Sequence, residues 1–316
     1  MKYPRLLAIA SAVALIAAFA ACSDPDDPDA MTIPVNAINA TSDGTSHHLG
    51  SATWSQASSS RLMGASPLAF SVSDEAKVYF SPGNLQYNST NGRWQFSRRQ
   101  YLTVATDPDA ADGLIDLFGW GTSGWESGAV AIEPQAVDAA DSNYWVAGDS
   151  LAGLVGDYAE ADWAYHNAIV GGGNRARQWR VLQAAEWQYL LGENPTRRGR
   201  WGMATLEGSY RGLVVLPDQW AAPAGISFVA GASGWETNRY SLVDWFRMEQ
   251  SGAVFMPAAG YREGAVSTSI GQTGNYWASD AASGICAHDL FFRAQALDAT
   301  DIDARHYGFA VRPVLQ

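Results

Sequence analysis

Gly274-Asn275-Tyr276-Trp277 opens the C-terminal stretch of the chain, and Tyr307-Gly308-Phe309-Ala310-Val311-Arg312-Pro313-Val314 closes it. Both ends combine glycine for tight turns with aromatic and alternating apolar residues, the pattern of buried strands. Between them, from Ala278 to His306, the residues are small and chemically mixed, with Cys286, His288, Asp289, Phe291 and Arg293 almost adjacent. A fixed frame around such contents points to a binding surface in preference to a catalytic centre.

The rest of the chain sets limits on that reading. It has 316 residues, enough for one large domain or two small ones with a sizeable core. Trp is plentiful at 13 residues, and Lys occurs only at Lys2 and Lys77, a composition of compact, loop-rich architecture and not of a helical bundle. The formal charge is −12, and loss of a leader carrying Lys2 and Arg5 makes it more negative. Such a surface repels phosphates, so no nucleic-acid partner is expected.

Residues 1–21 have the form of a secretory signal. Lys2 and Arg5 supply the positive start, and Leu6 to Phe19 is an apolar run short for a membrane span. Phe19-Ala20-Ala21-Cys22 then resembles the lipobox of bacterial lipoproteins, which makes Cys22 the expected site of lipidation; Phe19 stands where Leu is usual. The alternative is ordinary cleavage near Ala18-Phe19-Ala20, with Cys22 incidental. The acidic run Ser23 to Asp29 resembles the signal that sends Bacteroidota-type lipoproteins to the outer face of the outer membrane, and it is in any case a solvated linker. Residues 22–69 read as an acidic, then Ser- and Ala-rich tether, and 70–316 as one folded domain. Cys22 and Cys286 are the two cysteines, so acylation of the first leaves Cys286 a lone thiol.

Within the domain, Lys77 to Phe80, a turn at Pro82-Gly83, Asn84 to Tyr87 and then Arg93 to Phe96 read as a strand meander. Leu114 to Trp125 is apolar but broken by Gly119, Gly121 and Gly124, so it should be irregular and buried. Helices are expected over Glu160–Val170, Gln183–Leu191 and Ser241–Gln250, each stopped by a following glycine. Ser241-Leu242-Val243-Asp244 is close to a capping box, with Asp for Glu. Strands are expected at Gly212–Pro217, Ala253–Pro257 and Leu290–Arg293. Few helices and many short strands predict an α+β class.

Several of these stretches together resemble one family. Trp179-Arg180-Val181-Leu182 with Ala185-Glu186-Trp187-Gln188-Tyr189-Leu190 is similar to a conserved segment of formylglycine-generating-enzyme-like and C-type-lectin-like domains, with Gln183 where Pro or Thr is usual. Gly252 to Arg262, Gly274 to Ser279 and Gly308 to Val314 resemble its closing half in the same order. The resemblance spans about Lys77 to Val314 and implies a compact, loop-dominated C-type-lectin-like fold with neighbouring terminal strands. It leaves function open, because that fold hosts catalysts, lectins and protein binders.

Three functions are open to these residues. Oxidative catalysis of the formylglycine-generating kind uses paired cysteines on copper, and this chain offers Cys286 alone, so no enzyme activity is expected. His288, Asp289, Asp301, Asp303 and His306 cluster without clean metal-ligand spacing, so neither metal nor cofactor is expected. A calcium lectin needs several fixed oxygen ligands. The motifs of calcium lectins are absent, Glu193-Asn194-Pro195 being a wrongly ordered echo, although Asp298, Asp301 and Asp303 could hold a cation weakly. The third function is a surface-displayed ligand-binding protein. The C-terminal stretch resembles the variable region of proteins served by diversity-generating retroelements, in which adenine changes leave residues whose codons end in C. Ala278 to Tyr307 contains no Lys, Glu, Met or Trp, and one Gln, Gln295.

Strand alternation sharpens this third reading. Leu290 and Phe292 fall on one face, and Asp289, Phe291 and Arg293 on the other, where an outward Phe beside Asp and Arg suits a paratope-like patch. The alternative makes Phe291 core and buries both faces. The expected ligand contacts are Asp280, Ser283, Ile285, Cys286, His288, Asp289 and Phe291. Arg293, Asp298, Thr300, Asp301, Asp303, His306 and Tyr307 complete the set. Trp179, Trp187, Leu290, Phe292, Phe309 and Arg312 are assigned to the scaffold. The sequence thus predicts an outer-membrane lipoprotein, exposed at the cell surface, that binds an external protein or glycan. A glycan-capture lipoprotein of fixed specificity is the alternative.

Overall fold

The computed structural model describes residues 64–125 and 151–315. The expected signal, Cys22 and nearly all of the tether lie outside the described residues. Among the described residues no helix is long and apolar enough to cross a membrane.

Strands come first along the chain: β1 (Phe70–Ser71), β2 (Lys77–Phe80), β3 (Leu85–Asn88), β4 (Arg93–Phe96) and β5 (Leu114–Ile115). A 3₁₀ turn (Gly156–Ala161), helix α1 (Trp163–His166), β6 (Ile169–Val170), β7 (Trp179–Arg180) and helix α2 (Ala184–Leu191) follow. Then come β8 (Trp201–Leu206), β9 (Tyr210–Val215), β10 (Asn238–Tyr240), helix α3 (Leu242–Gln250) and β11 (Val254–Pro257). The C-terminal part holds β12 (Tyr261–Glu263), β13 (Val266–Thr268), β14 (Thr273–Ala281), β15 (Cys286–Arg293), β16 (Ala296–Ala304) and β17 (Val314–Leu315). The chain is mixed helix and sheet, mostly strand, which agrees with the expected α+β class at that level.

The strands form small sheets in the orders β1-β2-β17-β7, β5-β3-β4-β6, β10-β8-β9-β11, β12-β13 and β14-β15-β16. Strand β17 pairs with β2, so the last strand lies beside one of the first. The expected meander is therefore corrected. The turn at Pro82-Gly83 passes the chain from one sheet to another, so β2 and β3 do not pair, while β3 and β4 do, as the meander requires. The same β2–β17 register leaves Arg312 buried behind the sheet. There it donates to Asn84 Oδ1, the Phe255 carbonyl and Gln100 Oε1. Burial lowers its pKa to about 10.

Helices α2 and α3 fall where their caps put them. The Gln183 amide donates to Glu186 Oε2 at 2.8 Å and α2 stops at Gly192, while Ser241 Oγ accepts from the Asp244 amide at 3.1 Å. The helix expected over Glu160–Val170 is shorter. Asp162, near the start of that run, accepts from the Ala164 and Tyr165 amides with its carboxylate and so starts α1 instead of continuing a helix. Ile169–Val170 leave the helix to pair parallel with β4.

Two apolar layers sandwich the C-terminal sheet. Tyr276, Ala278, Leu290, Phe292, Leu297 and Ala299 pack on one side with Trp187 and Leu190 of α2. Trp277 and Ala287 pack on the other with Phe118, Trp120 and Phe309. Trp277 stacks on Phe309 with ring centroids 4.3 Å apart, and its indole N–H donates to the Phe118 carbonyl at 2.7 Å.

Candidate functional site

The three long C-terminal strands decide which expected site residues meet. In β15 the pairing is Trp277↔Asp289 and Asn275↔Phe291 on the β14 side. On the β16 side it is Ala287↔Asp303, Asp289↔Asp301 and Phe291↔Asp298. Two steps of β15, from Asp289 to Phe291, thus face three steps of β16, from Asp301 to Asp298. The extra residue is a bulge. Without it, Asp298 would fall on the opposite face from Asp301 and Asp303. With it, Asp289, Asp298, Asp301 and Asp303 share one face, joined by Asn275 from β14.

This face is covered. Asp289 and Asp303 are 0% exposed and Asp301 keeps 9%. Carboxylate oxygens of Asp289, Asp301 and Asp303 lie within 4.8 Å of one another. Neither oxygen of Asp289 has a hydrogen-bond partner, and neither does the amide of Asn275, itself 0% exposed. The Asn275 amide lies near enough to Asp289 to favour its ionised form, yet not in hydrogen-bonding geometry. Burial first, then the charges of Asp303, Asp301 and Asp298, push the Asp289 carboxyl well above the usual carboxylate range.

The expectation of an outward patch on β15 is corrected by this burial. Phe291 is 1% exposed and Asp289 fully buried, while Leu290 and Phe292 are buried on the other side. A strand covered on both faces loses the in-out alternation that the sequence argument used. Arg293, half-buried, lies with its guanidinium 6.0 Å from the Phe291 ring centre. Cys286, Asp301, Asp303 and His306 are also buried where display was expected. Cys286, expected as a lone thiol, is not a free cysteine in the structure.

The remaining expected contacts are half-buried: Asp280, Ser283, Ile285, His288, Asp298, Thr300 and Tyr307. Some already have work in the fold. Asp280 accepts from the Ala184 amide at the start of α2 at 2.6 Å, and Asp298 accepts from the Thr300 amide at 2.8 Å. His288 Nδ1 lies 3.1 Å from the Thr300 carbonyl.

Residues 282–285, which join β14 to β15, are half-buried, and Arg305 holds them. Its amide donates to the Ile285 carbonyl, its Nε to the Cys286 carbonyl and its Nη2 to the Ser283 carbonyl. The guanidinium lies 4.4 Å from the Trp120 ring centre. A desolvated cation over Trp contributes about 2 kcal/mol. Arg305 was not singled out in the sequence; the signal available was an arginine in a run of small residues just before the closing Gly308-Phe309 frame.

Beside this turn runs the segment from Leu151 to Val155, with Leu151 and Val155 exposed. The Leu154 amide donates to the Ser279 carbonyl at 2.7 Å, and a side chain at Gly153 would strike that same carbonyl. Next to it lies a cleft of about 450 Å³ whose walls include Val155, Asp162, Tyr165, Arg180, Gln183 and Glu186. Arg180 and Glu186 form a two-pronged ion pair at 2.7 Å and 2.7 Å. Asp162 is buried, and burial raises its pKa to about 6 against the pull of the Val181, Ala164 and Tyr165 amides. A cleft of this kind suits the side chain or sugar ring of a larger ligand.

No family model, curated protein or solved structure matches the chain.

Proposed function

We propose that the chain is a lipid-anchored ligand-binding protein of C-type-lectin-like fold, held at the outer face of an outer membrane through Cys22. It binds an external protein or glycan non-covalently through the β14–β15 turn and the adjoining cleft. The observation that carries this reading is the pinned turn. Ser283 and Ile285 are half-exposed on a backbone that Arg305 and Trp120 hold in place. Binding to a preordered loop avoids the entropy cost of fixing it on contact. The adjacent exposed Leu151 and Val155 extend the surface with apolar area.

Burial narrows any diversification of the kind the resemblance implies. Changes at Asp289, Phe291 or Cys286 would disturb packing, so the tolerant positions are the half-buried Ser283, Ile285, Thr300 and Tyr307. A near-copy of the 3′ end of the gene, differing at adenines that map to these positions, would support retroelement service. Differences concentrated on the buried positions would contradict it.

The binding test uses the soluble domain against a panel of purified glycans and cell-surface proteins. Any ligand found should lose at least tenfold in affinity with Ile285→Asp or Ser283→Arg, with unfolding midpoints unchanged. Full affinity in both variants rules out the turn as the binding surface. Labelling with a fatty acid, lost in Cys22→Ala, tests the anchor separately. Because Cys286 is not a free cysteine and Cys22 is the one other cysteine of the chain, absence of labelling would assign the Cys22 sulfur to Cys286 and overturn the anchor.

A further inference from the structure

We propose that Asp289, Asp301 and Asp303, together with the side-chain oxygen of Asn275, hold one divalent, oxygen-preferring cation of the Ca²⁺ kind inside the C-terminal sheet. The site stands whether or not the neighbouring turn binds a ligand.

The geometry begins with the strands. Asp289 lies on the central strand, opposite Asp301 on β16, and Asn275 enters from β14 on the same face. Regular pairing alone puts Asp289, Asp301 and Asp303 on one face, and the bulge in β16 brings Asp298 to the same face beside them. The three carboxylates offer oxygens within 4.8 Å of one another. Two oxygens on opposite sides of one ion at about 2.4 Å, a usual Ca²⁺–oxygen distance, are separated by about that much.

The second observation is independent of the acidic cluster. Asn275 is 0% exposed, and neither its oxygen nor its nitrogen has a partner, although it sits beside Asp289. Buried amides and carboxylates are almost always hydrogen-bonded, because leaving them unpaired is costly. Asp289 repeats the anomaly with both oxygens. A cation resolves both at once: it accepts the carboxylate charge and the amide oxygen, and it removes the repulsion among three acids. An all-oxygen set selects a hard ion over zinc or copper. Asp301, still 9% exposed, marks the side from which an ion enters.

The test uses the full chain, freed of metal by a chelator and dialysed. Titration with CaCl₂ in a calorimeter should give one binding event, with affinity in the range of extracellular Ca²⁺ modules, and saturating Ca²⁺ should raise the melting temperature by several degrees. Asp289→Asn and Asp301→Asn should each weaken binding at least tenfold and abolish the thermal shift. Asp244→Asn, on the exposed N-terminal turn of α3, should leave both unchanged. The two site variants guard against a folding failure in either one, since Asp301 is near the surface. Absence of any response of the wild type to Ca²⁺, or an equal response in wild type and both site variants, overturns the site.

Discussion

Two aspartates in this molecule, one half-buried and one fully buried, meet opposite surroundings. Asp218 is surrounded by donors. Its Oδ1 accepts from the Ser71 amide at 3.0 Å and from Arg197 Nη1 at 2.8 Å, and its Oδ2 accepts from the Ser71 hydroxyl at 2.7 Å and faces Lys77 at 3.2 Å. Burial raises its pKa, but these donors outweigh burial and hold the carboxyl below its ordinary range. Asp289 is buried more deeply, with no exposed surface, and has none of these hydrogen bonds. Its neighbours Asp303, Asp301 and Asp298 add repulsion. The first arrangement is a finished structural pin. The second is the arrangement of a site that waits for a positive ligand.

The largest expected effect comes from breaking the finished pin. Arg197 gives its other donors to the Leu190 and Leu216 carbonyls and is 0% exposed, so Arg197→Met should leave Asp218 charged and short of a partner. Loss of one member of a buried pair costs about 3–5 kcal/mol, read as a fall in urea midpoint at constant slope.

A smaller effect isolates burial alone. Asp116, 7% exposed, accepts from the Val104 amide at 2.6 Å, and burial pushes its pKa up to about 6. A carboxyl raised in the folded state binds its proton more tightly there than when unfolded, so its contribution is full at low pH. That contribution falls as pH rises from about 4 through 6. Asp116→Asn should remove that part of the slope and gain up to about 3 kcal/mol at pH 7. A slope unchanged from wild type in the urea midpoint between pH 4 and 7 would show that Asp116 is not the group responsible.

Smaller again is the cap of α1. Asp162→Ala removes acceptors for Ala164, Tyr165 and Val181 and should cost about 1–2 kcal/mol. Asp162→Asn keeps one acceptor oxygen and should cost less, a ranking that chemical denaturation can check. At the bottom of the scale, Ser283→Arg on the turn should change stability by less than about 0.5 kcal/mol while affecting ligand affinity. A large loss of stability would move that residue from the binding surface into the scaffold.

How far the sequence carries depends on how local the deciding interaction is. The strands at Lys77–Phe80 and Arg93–Phe96 and the helices after Gln183 and Ser241 were legible because turn residues and caps next to them set their ends. Glu160–Val170 failed as one helix because a single side chain, Asp162, accepts from the Val181 amide as well as from its own turn. The candidate site was half legible. Asp298, Asp301 and Asp303 stood out by composition, but strict alternation divides them between two faces, and only the bulge against Asp289 and Phe291 reunites them. The outward patch on β15 failed for a related reason. Alternation reports two faces, not which of them is covered, and the covering residues Phe118, Trp120 and Phe309 come from remote parts of the chain. Asn275 carried no warning beyond being a polar residue between Gly274 and Tyr276.

The most direct measurement compares wild type and Asp289→Asn by urea unfolding, once with chelator and once with saturating CaCl₂. Without metal, the neutral amide relieves the crowded carboxylates, and the variant should be the more stable chain. With Ca²⁺ the order should reverse, because only the wild type gains from the ion. A variant less stable than wild type by the same amount in both conditions would mean that Asp289 is an ordinary structural residue and that no cation belongs there.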